Sequence, residues 1–361
     1  MRKARHALLN HALFTKIRKK FVCLRGLHKD CDMDLELLKD ILSHDSTSGK
    51  ERELALRLMQ RLEAPSMQMF EVGDGTLNLL LSWGTPKVVF CTHMDTVPPY
   101  IPPLFLDTRI SGRGSCDAKG QIFAMYTACK SLESEGRTDF GLLLLAGEET
   151  GSWGAKAFSK TGFTAPFLIV GEPTENKMAS ASKGTKAYGL VFRGEAFHSG
   201  YPQYGTSAVD LFNEFYDTLK AHDFGSDPLL GDTTWNIGRL LSDNPQNILS
   251  PELSCRLYFR TTFVSDDKVQ AFMSQLAGSV AVEALGGDTP ARYLTLPGFD
   301  SAPVAFGSDA PHLSGFTHKM ICGPGSIRTA HRSDEHILVE DLKKAVRQYV
   351  RMCCMLQEGA V

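Results

Sequence analysis

The sequence predicts an α/β fold, with a mixed, mostly parallel sheet flanked by helices and a smaller α+β module inserted into it. Three observations carry that expectation. Continuous apolar runs alternate with helical stretches through the first half of the chain, as in parallel strands buried on both faces. After about Met178 the strands change to apolar/polar alternation, which suits a sheet with one open face. Three of the buried runs end on acids or a histidine, the edge where open α/β sheets bind ligands.

Residues 1–32, MRKARHALLNHALFTKIRKKFVCLRGLHKDCD, are basic and lack the apolar centre of a secretory signal. They read as an extension from an upstream translation start, disordered or not native. An amphipathic transit-like segment and a basic tail are the alternatives. From Met33, MDLELLKDILSH and KERELALRLMQRLEA space Leu, Ile and Met as amphipathic helices, with Ser46, Thr47 and Ser48 as turn and capping residues before the second. MQMFEV and TLNLLLSWG are strands about an Asp74-Gly75 turn. KVVFCTHMD, FGLLLLAGEE and APFLIVGEPT are strands, separated by helices in AKGQIFAMYTACKSLESEG and SWGAKAFSKTG.

In the inserted module, TKAYGLVFRGEAFH and LSCRLYFRTTFV are strands, and Ser207–Ala221 and Asp266–Glu283 are helices. The strand HKMICG and the amphipathic helix LVEDLKKAVRQYVRMCCMLQ complete the chain. The expected domains are 33–177 with 288–361, and an insertion over 178–287. A length of 361 residues exceeds what one hydrophobic core usually serves.

A formal net charge of -2 gives no reason to expect a nucleic acid or an anionic membrane as partner. No apolar run approaches the roughly 20 residues of a spanning helix. Nine cysteines, an odd number with no CxxC pair, suit a reducing compartment, so a cytoplasmic location is expected.

The chemistry collects at the strand ends. Val88–Cys91 leads into His93 and Asp95, which share a face of an extended chain. Leu142–Leu145 leads into Glu148 and Glu149, and Phe167–Val170 into Glu172. The glycine-rich ISGRGSCDAKG brings Asp117 to the same edge. Each acid alone is an ordinary loop residue, and Glu149 or Asp117 would serve equally as a helix cap. Together they form a cluster that Lys119 cannot neutralise. Uncompensated carboxylates repel one another, and a cation resolves the conflict. Mixed imidazole and carboxylate donors suit zinc, with manganese or cobalt as substitutes. A second imidazole is then needed, and SIRTAHRSDEHI offers His331 or His336.

HMDTVP, GRGSCDAKG, AGEETGSWGAK, IVGEPTE, AFHSGYPQYGTSAVD, FGSDAP and AHRSDEH resemble, in order, the motifs of the dizinc amidohydrolases and metallopeptidases. That family holds acetylornithine deacetylases, succinyl-diaminopimelate desuccinylases, aminoacylases and carboxypeptidase-like enzymes. The resemblance implies a zinc-exopeptidase-like domain, an inserted lid and dimerisation domain, a homodimer, and two Zn2+ per subunit. It places His93, Asp117 and Glu172 on one metal, and Asp117, Glu149 and His331 on the other. Asp95 would orient His93, and Glu148 would be the general base. His198 would reach a neighbouring subunit's active site, and Asn247, Arg260, Gly307 and Ser308 would contact substrate.

IVGEPTENKMASASKG and FHSGYPQYG look most like the acetylornithine deacetylase type. That implies hydrolysis of an N-acetyl or N-succinyl derivative of ornithine, citrulline or lysine, in arginine or lysine biosynthesis. The rivals are a succinyl-diaminopimelate desuccinylase and a di- or tripeptidase with the same metal centre. A non-catalytic scaffold that binds an amino-acid derivative is the reading from another class. Cys116 is expected to be a packing residue, and His312 and His336 surface residues; His222 and His318 carry no signal.

Overall fold

The structure, a computed structural model, describes residues 33–73, 75–276 and 280–359. The basic segment 1–32 and Asp74 of the expected turn lie outside the described residues. Helices α1 (Leu35–Leu42) and α2 (Arg52–Arg61) are followed by a hairpin of β1 (Ser66–Gly73) and β2 (Thr76–Trp83), then β3 (Val88–His93). β4 (Leu104–Phe105) and β5 (Arg109–Ser111) precede α3 (Lys119–Ser134), β6 (Phe140–Leu145), α4 (Trp153–Phe158) and β7 (Ala165–Val170). Next come β8 (Met178–Ser182), β9 (Gly184–Arg193), α5 (Ala208–Ala221), β10 (Ser226–Asp227), β11 (Gly231–Asp232) and β12 (Thr234–Leu241). They lead to β13 (Glu252–Thr261), α6 (Asp266–Gln275), β14 (Ala281–Gly286), β15 (Ala291–Arg292) and β16 (Ser301–Val304). β17 (Phe316–Ile321), β18 (His336–Leu338) and α7 (Val339–Gln357) close the chain.

These elements form two compact units. One holds the chain up to Met178 with Leu294–Ser301 and Ser308–Val361; the other holds Ala179–Tyr293 with Ala302–Gly307. The expected insertion stopped at 287. The second unit continues further because β15 and β16 both flank β8 in a three-stranded sheet.

In the first unit the sheet order is β1-β2-β6-β3-β7-β17. β6, β3, β7 and β17 run parallel, and β2 is antiparallel to β6. This is the mixed, mostly parallel sheet that the apolar runs predict. Every residue of β3 and β6 is buried, which is why their sequences show no alternation. Apolar residues of α1, α2, α3 and α7 share one core with this sheet. Phe90 of β3 sits fully buried with its ring 5.6 Å from that of Tyr349 in α7. Phe90→Ala is expected to cost about 3–5 kcal/mol, the loss of a large buried ring plus its cavity. Urea unfolding followed by near-UV circular dichroism would measure it; a loss below about 1 kcal/mol would mean the site collapses around the gap.

The second unit has a four-stranded antiparallel sheet in the order β12-β13-β9-β14. Leu253, Cys255, Leu257 and Phe259 of β13 alternate into a separate core with Phe215 and Leu219 of α5 and Val269, Phe272 and Met273 of α6. The helix expected over Asp266–Glu283 is shorter than that. It stops at Gln275, and Ala281–Gly286 forms β14 on the edge of the sheet. Val282 lies opposite Leu190 of β9 and packs half-buried against the core, so pairing with the sheet outweighs the helical preference of Ala, Glu and Leu. Residues 277–279 lie outside the described residues.

Candidate metal centre

β3, β6 and β7 are neighbours running the same way, so their carboxyl ends share one edge. His93 is the last residue of β3, Glu148 and Glu149 lie in the turn after β6, and Glu172 follows β7 by two positions. The turn after β6 opens on Gly147 at φ +67°, a conformation that costs a glycine least. Asn78 clamps that turn: its Oδ1 accepts from Ala146 N at 3.0 Å and its Nδ2 donates to Gly154 O at 2.8 Å. This residue was not foreseen. A single amide inside the apolar run TLNLLL was the available signal.

Asp117 precedes α3, at the end of a loop pressed against the helix start. A Cβ on Gly120 would lie 2.2 Å from Ser115 O, so only glycine permits this approach. The Asp117 carboxylate spans two imidazoles, with Oδ1 3.1 Å from His93 Nε2 and Oδ2 3.2 Å from His331 Nε2. His331 Nε2 is also 2.9 Å from Glu149 Oε1. Of the two candidate histidines, His331 therefore joins the cluster. His336 lies in β18 opposite Ser111, with Nδ1 2.9 Å from Asp334 O.

Asp95 holds the other side. Its Oδ1 lies 3.4 Å from His93 Nδ1, and its backbone carbonyl 3.0 Å from the same nitrogen. The same carboxylate accepts from the backbone N–H of Glu148 at 3.0 Å and of Glu149 at 3.1 Å. One buried side chain thus orients the His93 ring and fixes the turn bearing both glutamates. Ser48 Oγ donates to Asp95 Oδ2 at 2.8 Å, and Ser46 Oγ to Met94 O at 2.7 Å. These hydroxyls were expected to cap α2. They are spent on the segment after β3 instead, and the N-cap of α2 is Glu51, without a side-chain bond.

The helix-cap alternatives for two of the acids also fail on geometry. Ala118 is the N-cap of α3 and Ser152 that of α4, neither with a side-chain capping bond. Lys119 does not serve the acids either: its buried ammonium donates to His44 O at 2.5 Å. Burial lowers its pKa to about 8.

Electrostatics follows from this crowding. Burial pushes the carboxyls of Glu148 and Glu172 well above their usual range, and neighbouring acids add to it. Burial acts the same way on Asp117, but hydrogen bonds from His331 and His93 outweigh it and hold that carboxyl below the ordinary value. Hydrogen bonds to Asp117 and Glu149 lift His331 to about 10. Asp309, in the FGSDAP motif, is almost fully buried with no hydrogen bond to either carboxylate oxygen, and burial lifts it to about 6. The Ser152 hydroxyl is close enough to favour its charge but outside hydrogen-bonding geometry. Cys116 is buried beside Ser326 O and Thr329, and burial pushes its thiol up, as befits a packing residue.

The donor set fits a metal ion. One atom each of His93, Asp117 and Glu149 lie within 4.8 Å of one another, and His331 touches both carboxylates. Glu172 leaves Oε1 buried without a hydrogen bond, an oxygen that a cation would satisfy. Imidazole nitrogens with carboxylate oxygens are donors that borderline divalent cations accept.

The remaining predicted residues are distributed as follows. Ser308 is buried in the first unit, and its Oγ accepts from Ala310 N at 3.3 Å. His198, Asn247, Arg260 and Gly307 belong to the second unit. There His198 bridges to Ile248, and Ser199 N donates to Asn247 O at 2.9 Å, so the His198 and Asn247 segments lie side by side. The Arg260 guanidinium rests over the Tyr258 ring, 5.1 Å from its centre. A Cβ on Gly307 would meet Arg260 Nη1 at 3.9 Å.

The sequence pattern described as Peptidase family M20/M25/M40 matches residues 89–354. The chain belongs to that family. A peptidase M20 domain-containing protein of Schizosaccharomyces pombe is 30% identical over 361 residues, covering 95% of this chain and 89% of its own. An Aspergillus flavus protein named "Probable carboxypeptidase" is 35% identical, covering 75% of this chain and 73% of its own. Among solved structures, a tripeptidase of Staphylococcus aureus superposes with a TM-score of 0.72 at 18% identity, over 88% of this chain and 97% of that one. A metallo-carboxypeptidase of the M20 family from Sulfolobus solfataricus gives 0.69 at 16% identity, over 88% and 98%. The family is one of metal-dependent hydrolases of peptide and amide bonds, so the chain is an M20-family hydrolase. Among the described residues, no helix is long and apolar enough to cross a membrane.

Proposed function

We propose that this M20 hydrolase cleaves an amide bond next to a free carboxylate, in a short peptide or an N-acyl amino acid. One observation carries the reading: the Asp117 carboxylate lies between His93 and His331, with Glu149 on His331 and Glu148 adjacent in the same turn. His93, Asp117 and Glu172 would hold one divalent cation, and Asp117, Glu149 and His331 a second, zinc by preference with cobalt or manganese as substitutes. Bound there, such ions acidify water and polarise the scissile carbonyl.

The chain's own residues supply the rest. Asp95 keeps the Nδ1 side of His93 engaged, so that Nε2 faces Asp117. Glu148 accepts a proton from the attacking water and returns it to the leaving amine, a task its burial-raised pKa suits. Arg260 would pair with the substrate carboxylate, since a planar guanidinium matches it. Asn247, Gly307 and Ser308 would line the remainder. His198 would donate to the oxyanion of a partner subunit in a homodimer. The odd count of nine cysteines, with no CxxC pair, favours a reducing, cytoplasmic setting.

Two substrate classes share this chemistry. The "Probable carboxypeptidase" relatives favour a peptide. The IVGEPTENKMASASKG and FHSGYPQYG motifs favour the acyl derivatives of ornithine, citrulline or lysine used in arginine or lysine biosynthesis. Zinc-loaded protein should be offered dipeptides and tripeptides, their C-terminal amides, N-acetyl- and N-succinyl-L-ornithine, and N-succinyl-diaminopimelate. Cleavage that requires the free carboxylate is the expected result. A requirement for a free amine instead, or no cleavage with two metals bound, would sink this reading.

The proposed dimer has its own test. His198→Ala and Glu148→Ala proteins should each be inactive alone. Mixed after mild dissociation, they should regain turnover, because one site of the hybrid would then have both groups. A mixture that stays inactive, or an active monomer by sedimentation, rejects action across subunits.

A further inference from the structure

Glu335 lies four positions after His331 in AHRSDEH, a motif that by itself assigns it no role. In the structure its side chain is completely buried. Oε1 accepts three backbone N–H groups, from Gly114 at 3.0 Å, Cys116 at 3.1 Å and Asp117 at 3.1 Å. Oε2 takes the Arg113 guanidinium at 2.6 Å. The Glu335 backbone carbonyl accepts from Gly112 N at 3.0 Å. The whole loop from Gly112 to Asp117 is thus wrapped around one carboxylate.

Arg113 extends the lock in two directions. Its Nη1 reaches Arg332 O at 3.2 Å, next to His331, and its Nε reaches Pro99 O at 3.2 Å, in the loop after β3. His331 itself stands at φ +63°, a left-handed conformation that a non-glycine residue keeps only when its surroundings impose it. The loop ending in Asp117 and the segment carrying His331 therefore converge on the same buried ion pair.

We propose that Glu335 is a positioning residue. It sets the Asp117 carboxylate between the two imidazoles by fixing the Asp117 backbone, and it holds His331 in register through Arg113. The proposal rests on the metal-centre reading above. Outer partners that orient ligating side chains typically govern metal affinity by roughly 10–100-fold. A buried carboxylate satisfied by three N–H groups and a guanidinium has no equivalent in a neutral amide, whose NH2 end would confront one of those donors.

The test is zinc binding to metal-free protein, measured by chelator competition, for wild type, Glu335→Gln and Arg113→Lys. Leu58→Ala, a buried substitution in α2, serves as the control for general destabilisation. Glu335→Gln should bind zinc roughly 10–100-fold more weakly. Arg113→Lys, which keeps the charge but loses the fork, should bind severalfold more weakly. Turnover of both variants should recover towards wild type in excess zinc with KM unchanged, and Leu58→Ala should keep wild-type affinity.

Wild-type affinity in Glu335→Gln and Arg113→Lys overturns the proposal and leaves the metal centre standing. So does an equal loss in Leu58→Ala. If Glu335→Gln does not fold, Arg113→Lys decides alone. Wild-type protein that binds no zinc overturns both this proposal and the reading beneath it.

Discussion

Glu148→Ala is expected to lower kcat by about 10²–10⁴-fold, the usual contribution of a positioned acid–base group. Bound metal should remain at the wild-type level. The two effects separate because Glu148 and Glu149 are adjacent but differently engaged. Glu149 lies 2.9 Å from His331 Nε2, whereas Glu148 is anchored through its backbone N–H to Asp95. Removing the Glu148 side chain leaves that backbone bond and the three contacts among His93, Asp117, Glu149 and His331 intact. The measurement pairs turnover with metal content by atomic emission on the same preparation. Activity within tenfold of wild type would remove Glu148 from the proton-transfer role. Loss of metal together with activity would make it a ligand.

Asp117→Ala should abolish tight binding of both metals, whereas His331→Ala should weaken only one. Among the described residues Asp117 alone contacts both imidazoles, so its loss removes the one group proposed to ligate both cations. His331 contacts Asp117 and Glu149 but not His93's side of the site, and its ring is about half exposed. Titration of metal-free protein with zinc should give two sites in wild type, one in His331→Ala and none of comparable affinity in Asp117→Ala. Equal loss of both metals in His331→Ala would contradict the division of ligands. Two tight sites in Asp117→Ala would remove Asp117 as the shared ligand.

The fold of the first unit was legible because its central strands are written as unbroken apolar runs. FGLLLL, KVVFC and PFLIV admit no exposed face, and their separation by helices implies parallel neighbours. The second unit was less legible. AVEALG continues a helical pattern, and only the vacancy on the edge of β9 turns it into a strand. β12 was less legible still, since TWNIGRLL alternates apolar and polar residues only over Trp235–Gly238 and none of its residues is fully buried.

The site shows the same division. His93, Glu148, Glu149 and Glu172 could be located from sequence because each follows directly on a buried strand, where chain direction alone sets the edge. Glu335 and Asn78 could not. Their partners are backbone groups more than 60 positions away, and no local pattern records which N–H will reach a given carboxylate or amide.

The sequence by itself determined the sheet, the edge at which chemistry gathers, and the kinds of donor available there. Only the tertiary structure decided that Asp117 and Glu149 join the His93 cluster rather than cap a helix, and that His331 rather than His336 joins them. It also turned Ser46 and Ser48 from caps into braces. The reason is that a carboxylate or hydroxyl has no fixed role of its own. Its role depends on which donor lies about 3 Å away, and that is a property of the strand order β6-β3-β7 and the loops crossing it.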